Sequence, residues 1–192
     1  GPFHTVAFHI NYLAAAINET VVATATLERR GKEICFAHVA VCTDEGKPIA
    51  QAAVVVRGRQ GKASAETRLA AGDAGEVDPG PMGERVGGLG FIKGRSIEVE
   101  LMKGGRSRLA MAWKENNGDV DGCTHEGAAL ALLDTARAMA AWAETGPGRF
   151  KASTPSIQAQ FLAPVPAADL VAYSHVEQRD DEIFWSEVEV AS

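Results

Sequence analysis

The residues from Thr5 to Val41 recur, without a gap, 149 positions later as Thr154 to Val190. A repeat constrains architecture more than any local signal, because both copies must share one supersecondary plan. Thr5/Thr154, Leu13/Leu162, Ala14/Ala163, Val22/Val171, Ala23/Ala172, Glu28/Glu177, Arg30/Arg179, Glu33/Glu182, Ile34/Ile183, Val39/Val188 and Val41/Val190 are identical pairs spread along the whole segment. The copies also share their alternation of apolar and polar residues. A unit of that length does not fit twice into 192 residues, so one copy is expected to be incomplete. Only GPFH precedes Thr5, whereas a long stretch with the strongest helical segment precedes Thr154; the second copy stops at Ser192, where the first continues through CTDEGKPIAQAAVVVRG. The chain, without an initiator Met, is therefore expected to be a window on a longer tandem protein. Residues 1–57 would be the C-terminal half of one unit, 58–85 a linker, and 86–192 a second unit lacking its last strand. The alternative is a complete chain whose N-terminal segment completes the second unit by permutation or pairing.

Local patterns agree with a β-rich unit. Thr5–Leu13 alternates, Thr20–Glu28 is rich in β-branched residues, and Glu33–Cys42 and Ile49–Val56 continue the pattern after the turns RRGK and DEGK. The spacing predicts an antiparallel meander. Gly58–Gly88, rich in Gly, Ala and charge, reads as a linker. Ser96–Met102 and Arg106–Lys114 are predicted strands around KGG, followed by the polar loop ENNGDVDGCTHEG. Gly127–Glu144 (GAALALLDTARAMAAWAE) is a predicted helix, with Thr124 placed to cap it and GPG ending it. It is apolar nearly all round, which implies burial on most faces.

Composition excludes several classes. No stretch approaches the roughly 20 apolar residues of a membrane span, so a soluble protein is expected, and its three cysteines suit a reducing cytoplasm. Cys35, Cys42 and Cys123 are too scattered for a disulfide framework or a CxxC metal site, and no metal is expected. A net charge of −6 argues against a general nucleic-acid coat, so an anionic ligand needs a local cationic patch.

The order strand, strand, polar loop ending in THEGAALALLDTA, then strands with a QFLAP bend resembles the hotdog fold, and within it the PaaI-type acyl-CoA thioesterases. Their signature is close to N-x-x-G-x-x-HGG-x(6)-D, and Asp119, Gly122, His125, Glu126, Gly127 and Asp134 keep its spacing. Asp119 stands where the family has Asn, and Glu126 replaces the first glycine of the pair. The resemblance implies an α+β fold in which an antiparallel sheet wraps a central helix, here as a tandem repeat with the first copy incomplete. It also implies hydrolysis of an acyl-CoA thioester without a cofactor, coenzyme A being part of the substrate. The units are expected to pair within the chain, and the chain could further form a homodimer. Hotdog sites combine the helix carboxylate of one unit with the glycine-loop amides of another; the first copy's loop and helix lie outside this window.

Asp134 is the central candidate, because a carboxylate within an apolar helix either pairs, reaches solvent, or is tuned for acid/base work. It could activate water as a general base or attack the carbonyl as a nucleophile; the plain alternative is a salt bridge to Arg137. Gly127 and its neighbours open the helix, where unpaired amides and the dipole suit an oxyanion, and the resemblance implies the amide at 126 as donor. The Glu126 side chain adds negative charge there; alternatively it is a first-turn acid stabilised by the dipole. Thr154 falls where the family holds catalytic water or carboxylate, with Thr5 as its equivalent in the other copy, although Thr is also an ordinary strand residue. Asp119 could orient substrate or close a solvated turn, and His125 reads as a loop or capping residue. Arg149, Lys151, Arg29, Arg30 and Lys32 are cations available to phosphates and are not assigned. The acyl group would meet residues such as Leu130, Leu133, Phe161 and Trp185.

Two other functions fit less well. A hotdog dehydratase needs a His with a carboxylate, and the helix has no His after position 125. A non-catalytic acyl-thioester binding or dimerisation module would use Asp134 structurally, with Glu126 marking a lost oxyanion site.

Overall fold

The computed structural model describes residues 3–58, 77–146 and 153–192. The chain divides into two compact units.

The first unit holds β1 (His4–Tyr12), β2 (Val21–Arg30), β3 (Ile34–Thr43), β4 (Pro48–Arg57) and β7 (Ser156–Gln160). They form one sheet in the order β2-β3-β4-β1-β7 with every neighbour antiparallel. The four N-terminal strands fall where the alternation put them, shifted by a residue or two at their ends. β2 is an edge strand exposed along all ten residues. The boundary drawn from sequence kept 86–192 together, but Ser153–Pro164 belongs with the first unit, because β7 bonds to β1 through Ala7↔Gln160 to Asn11↔Ser156. The repeat offset maps His9 onto Gln158, and these two residues face each other at the centre of that ladder. Phe8↔Ala159 and Ile10↔Ile157 flank them symmetrically.

The second unit holds α1 (Gly80–Gly87), α2 (Gly90–Gly94), β5 (Ile97–Lys103), β6 (Arg106–Met111), α3 (Glu126–Thr145), β8 (Leu170–Arg179) and β9 (Phe184–Ala191). Its sheet order is β5-β6-β8-β9, antiparallel throughout, and α3 packs against all four strands. Ala128, Ala129, Leu132, Ala136, Met139 and Ala140 form the buried stripe of α3, the spacing of one helix face. All but Ala140 meet Leu109, Met111, Leu170 and Ala172 in one core. The small residues let helix and sheet approach closely: the Ser107 hydroxyl of β6 donates to the Ala136 carbonyl at 2.7 Å, with both residues fully buried.

Most of the expected linker 58–85 lies outside the described residues, but its end is helical from Gly80. Packing overrides composition there. A Cβ on Gly83 would sit 2.9 Å from Pro79 Cβ and 3.0 Å from Val99 Cγ1, so glycine is what allows α1 to lie on β5.

The two hairpins that the repeat equates are built alike. β2–β3 shifts register between Leu27 and Arg29, and β8–β9 shifts between Val176 and Gln178, the equivalent positions. The turns match as well, Gly31 N–H donating to Ile34 O at 2.8 Å and Asp180 N–H to Ile183 O at 3.0 Å.

Candidate active site

The polar loop before α3 is held by a residue that sequence reasoning passed over. Asn117 is 1% exposed. Its Nδ2 donates to the Arg95 carbonyl at 2.9 Å, its Oδ1 accepts from the Arg95 guanidinium at 3.3 Å, and its carbonyl accepts the His125 N–H at 2.8 Å. One residue thus ties both ends of the loop to the turn before β5. The Asn doublet at the loop entrance was the available signal, but an Asn in a polar loop ordinarily reads as solvated. Asp119 closes the loop itself. Its Oδ1 accepts from the Asp121 and Cys123 amides, both at 2.9 Å, and Gly122 turns at φ +80°. An Asn at this position would accept the same two bonds.

The helix start differs from expectation. Thr124 is not the cap: it is 2% exposed and its hydroxyl donates to the Pro166 carbonyl at 2.7 Å. The cap is His125, extended at φ −64° and ψ 132°, whose Nδ1 accepts the Gly127 N–H at 2.9 Å. In that arrangement Nδ1 carries the lone pair and Nε2 the proton. The Ala128 and Ala129 amides both donate to the His125 carbonyl. Gly127 is therefore placed at the helix opening with its amide already bonded, while the half-buried Glu126 begins the helix.

Asp134 lies mid-helix with its side chain 38% exposed, and its Oδ1 accepts from Arg137 Nη2 at 3.1 Å, one helical turn on. The salt bridge offered by the sequence is present. Leu130 and Leu133 beside it are half-buried, as is Arg137. Loop, cap and carboxylate, from Asp119 through His125, Glu126 and Gly127 to Asp134, all belong to the second unit. Thr154 and Thr5 belong to the first, both half-buried. Thr5 pairs with Val56 in β1, and Thr154 lies just before β7. Two residues beyond Thr154, Ser156 Oγ contacts His9 Nε2 at 3.1 Å across the ladder.

The acyl-lining expectation fails for Trp185, which is 49% exposed and alternates with the residues that pack on α3, so it lies on the sheet's other face. Arg149 and Lys151 lie outside the described residues. Among the described residues, His175, Glu177 and Glu187 bring donor atoms within 4.8 Å of one another, with both glutamates exposed. Arg106 lies opposite His175 in the register, so this row of the sheet already carries a permanent cation.

Residues 121–191 match the family profile described as the thioesterase superfamily. The chain is similar to the acyl-CoA thioesterase II of Mycobacterium marinum (11% identity, TM-score 0.72, covering 98% of this chain and 74% of that one). It is similar too to the tesB protein of Mycobacterium avium subspecies paratuberculosis (13%, TM-score 0.68, 98% and 72%). A conserved hot dog-fold protein of Alicyclobacillus acidocaldarius gives 18%, TM-score 0.69, 97% and 72%. The chain has the hotdog fold. No curated protein sequence matches it.

Proposed function

We propose that this protein hydrolyses an acyl-CoA thioester to the free acid and coenzyme A. The observation that carries the reading is Asp134, a carboxylate on the face of an otherwise apolar central helix, nine residues from a loop that keeps the thioesterase spacing, inside the segment that matches the thioesterase superfamily. Asp134 accepts a proton from water as the water oxygen bonds to the thioester carbon; alternatively its own carboxylate attacks, and water opens the anhydride. Either way the C–S bond breaks and the thiolate leaves as the thiol after taking up a proton. The Glu126 amide at the helix start, beside Gly127, stabilises the oxyanion that develops opposite another unit's carboxylate, Asp119 and His125 hold the loop that presents it, and Thr154 positions water or carboxylate, with Thr5 as its counterpart. No metal or cofactor enters these steps. The matched bulges, the matched turns and the symmetric β1–β7 ladder support a tandem pair of PaaI-like hotdog units, the first incomplete in this chain. Asp134 then works opposite a loop supplied by another unit of the assembly, within one protein or a homodimer. None of the helices described is long and apolar enough to cross a membrane, and three unpaired cysteines suit a reducing cytoplasm.

The non-catalytic binding or dimerisation module is favoured by one observation, that the Gly127 amide is already taken by His125. Free-thiol release from short-chain, medium-chain and aromatic acyl-CoAs separates the two. Turnover that falls by about 10²-fold or more in Asp134→Asn, while Arg137→Gln stays within a few-fold, supports hydrolysis. Binding of acyl-CoA with no turnover above background leaves the module.

A further inference from the structure

The two equivalent hairpins share a backbone and carry opposite charge. The first reads Arg29, Arg30, Gly31, Lys32, Glu33, and its counterpart reads Gln178, Arg179, Asp180, Asp181, Glu182. In the second unit the charges are internally used: Arg179 pairs with Glu144 at 3.5 Å, and Asp180 Oδ1 accepts the Glu182 and Ile183 amides at 2.8 and 2.7 Å. In the first unit Arg29, Arg30 and Lys32 have no partner among the described residues, and the turn closes through Gly31 N–H and the Ile34 carbonyl alone. The second hairpin keeps the counterpart of Arg30 but has Gln178 and Asp181 in place of Arg29 and Lys32, so the turn closes without those two cations.

Arg29 and Lys32 line an open groove together with Gly31, Glu33, Ile34 and Phe36. Arg29 faces Phe36 across the ladder, which puts guanidinium and ring side by side on one face. The counterpart pair is Gln178 and Trp185, so the aromatic floor is kept and the cation is not. A guanidinium beside an exposed ring recognises a phosphate carried by a flat heterocycle: the fork binds phosphate oxygens and the ring stacks on the base. Two cations, Arg29 and Lys32, stand against one carboxylate, Glu33, around that floor, so the groove is locally positive in a chain of net charge −6.

We propose that this groove binds the phosphorylated adenine end of the CoA thioester, Arg29 and Lys32 holding phosphate and Phe36 stacking on adenine. The proposal rests on the CoA-thioester reading above and adds where the nucleotide goes. The test uses the chain as it stands and two substrates with the same acyl group, one on CoA and one on N-acetylcysteamine, which lacks the nucleotide. Calorimetric binding of adenosine 3′,5′-bisphosphate and of inorganic phosphate is measured alongside, so the nucleotide subsite is read even if hydrolysis is absent. Arg29→Gln/Lys32→Gln and Phe36→Ser should each weaken nucleotide binding about tenfold, and raise KM for acyl-CoA with kcat and the N-acetylcysteamine thioester unchanged. Asp181→Asn, in the counterpart hairpin, should bind like the parent. Nucleotide binding unaltered by both variants overturns the subsite. So does a loss shared equally by inorganic phosphate and untouched by Phe36→Ser, which describes a general anion patch. Circular dichroism confirms that each variant is folded before its binding is read.

Discussion

Replacing Ala136 with leucine should lift α3 from its sheet, and the size of the effect follows from one contact. Ala136 and Ser107 are both fully buried, and the serine hydroxyl reaches the alanine carbonyl at 2.7 Å. Three added carbon atoms have no space at that spacing, and overpacking costs about 1–3 kcal/mol. Backing the helix away also strands the Ser107 hydroxyl, adding about 1 kcal/mol. At about 2–4 °C per kcal/mol for a chain of this size, the midpoint should fall by roughly 5–15 °C. All three tryptophans, Trp113, Trp142 and Trp185, lie in the second unit, so tryptophan fluorescence follows the unfolding of the unit concerned. Ser107→Ala alone should cost about 0.5–1.5 kcal/mol. Combined with Ala136→Leu it should cost almost nothing further, because the bond is already broken, giving a coupling of about 1 kcal/mol. An Ala136→Leu variant as stable as the parent, or a serine deletion equally costly in both backgrounds, would refute the close-approach argument.

His125→Ala should destabilise α3 by about 1 kcal/mol through loss of its cap, while His125→Asn, a good capping residue, should recover most of it in urea unfolding. Ser174→Ala should be neutral or mildly stabilising in the same assay, because the buried Ser174 hydroxyl has no hydrogen-bond partner to lose. Asp180 is held below the usual aspartate range by the Glu182 amide and then the Ile183 amide. It therefore contributes stability above the ordinary aspartate value, and that contribution is lost as pH falls through the lower folded value. The stability gap between parent and Asp180→Ala should narrow as the solution is acidified from about pH 6 toward about pH 3, and a gap that widens would contradict this sign.

The hairpins and the central helix were legible because their signals are local. Alternation and β-branched content placed β1 to β4, the segments around KGG placed β5 and β6, and Ala/Leu content with GPG punctuation placed α3 to within a residue at each end. The repeat carried more, equating two hairpins that the structure builds with the same bulge and the same turn bond. What it could not carry is pairing between distant segments. β7 follows α3 in sequence yet bonds to β1, because its partner is chosen by a ladder spanning 147 residues between Ile10 and Ile157. α1 was lost for a related reason: a glycine-rich segment scores poorly for helix, and only contact with Val99 makes Gly83 favourable.

The site was legible in its residue types and opaque in their commitments. Spacing led to Asp119, His125, Gly127 and Asp134, but a motif does not state which polar atoms are already used. Asp119 Oδ1 closes a turn, His125 Nδ1 takes the Gly127 amide, and Asp134 Oδ1 accepts from Arg137. Each bond engages a group that the proposed chemistry would call on. Asn117, outside the motif, does as much to fix the loop as any residue within it. These commitments also set a condition on the chemistry. If the oxyanion is to draw on the Gly127 N–H as well as that of Glu126, the His125 imidazole must swing away. His125→Ala should then weaken the helix cap yet leave turnover equal or higher, whereas a collapse of turnover with the helix intact would mean that the capped conformation is the working one.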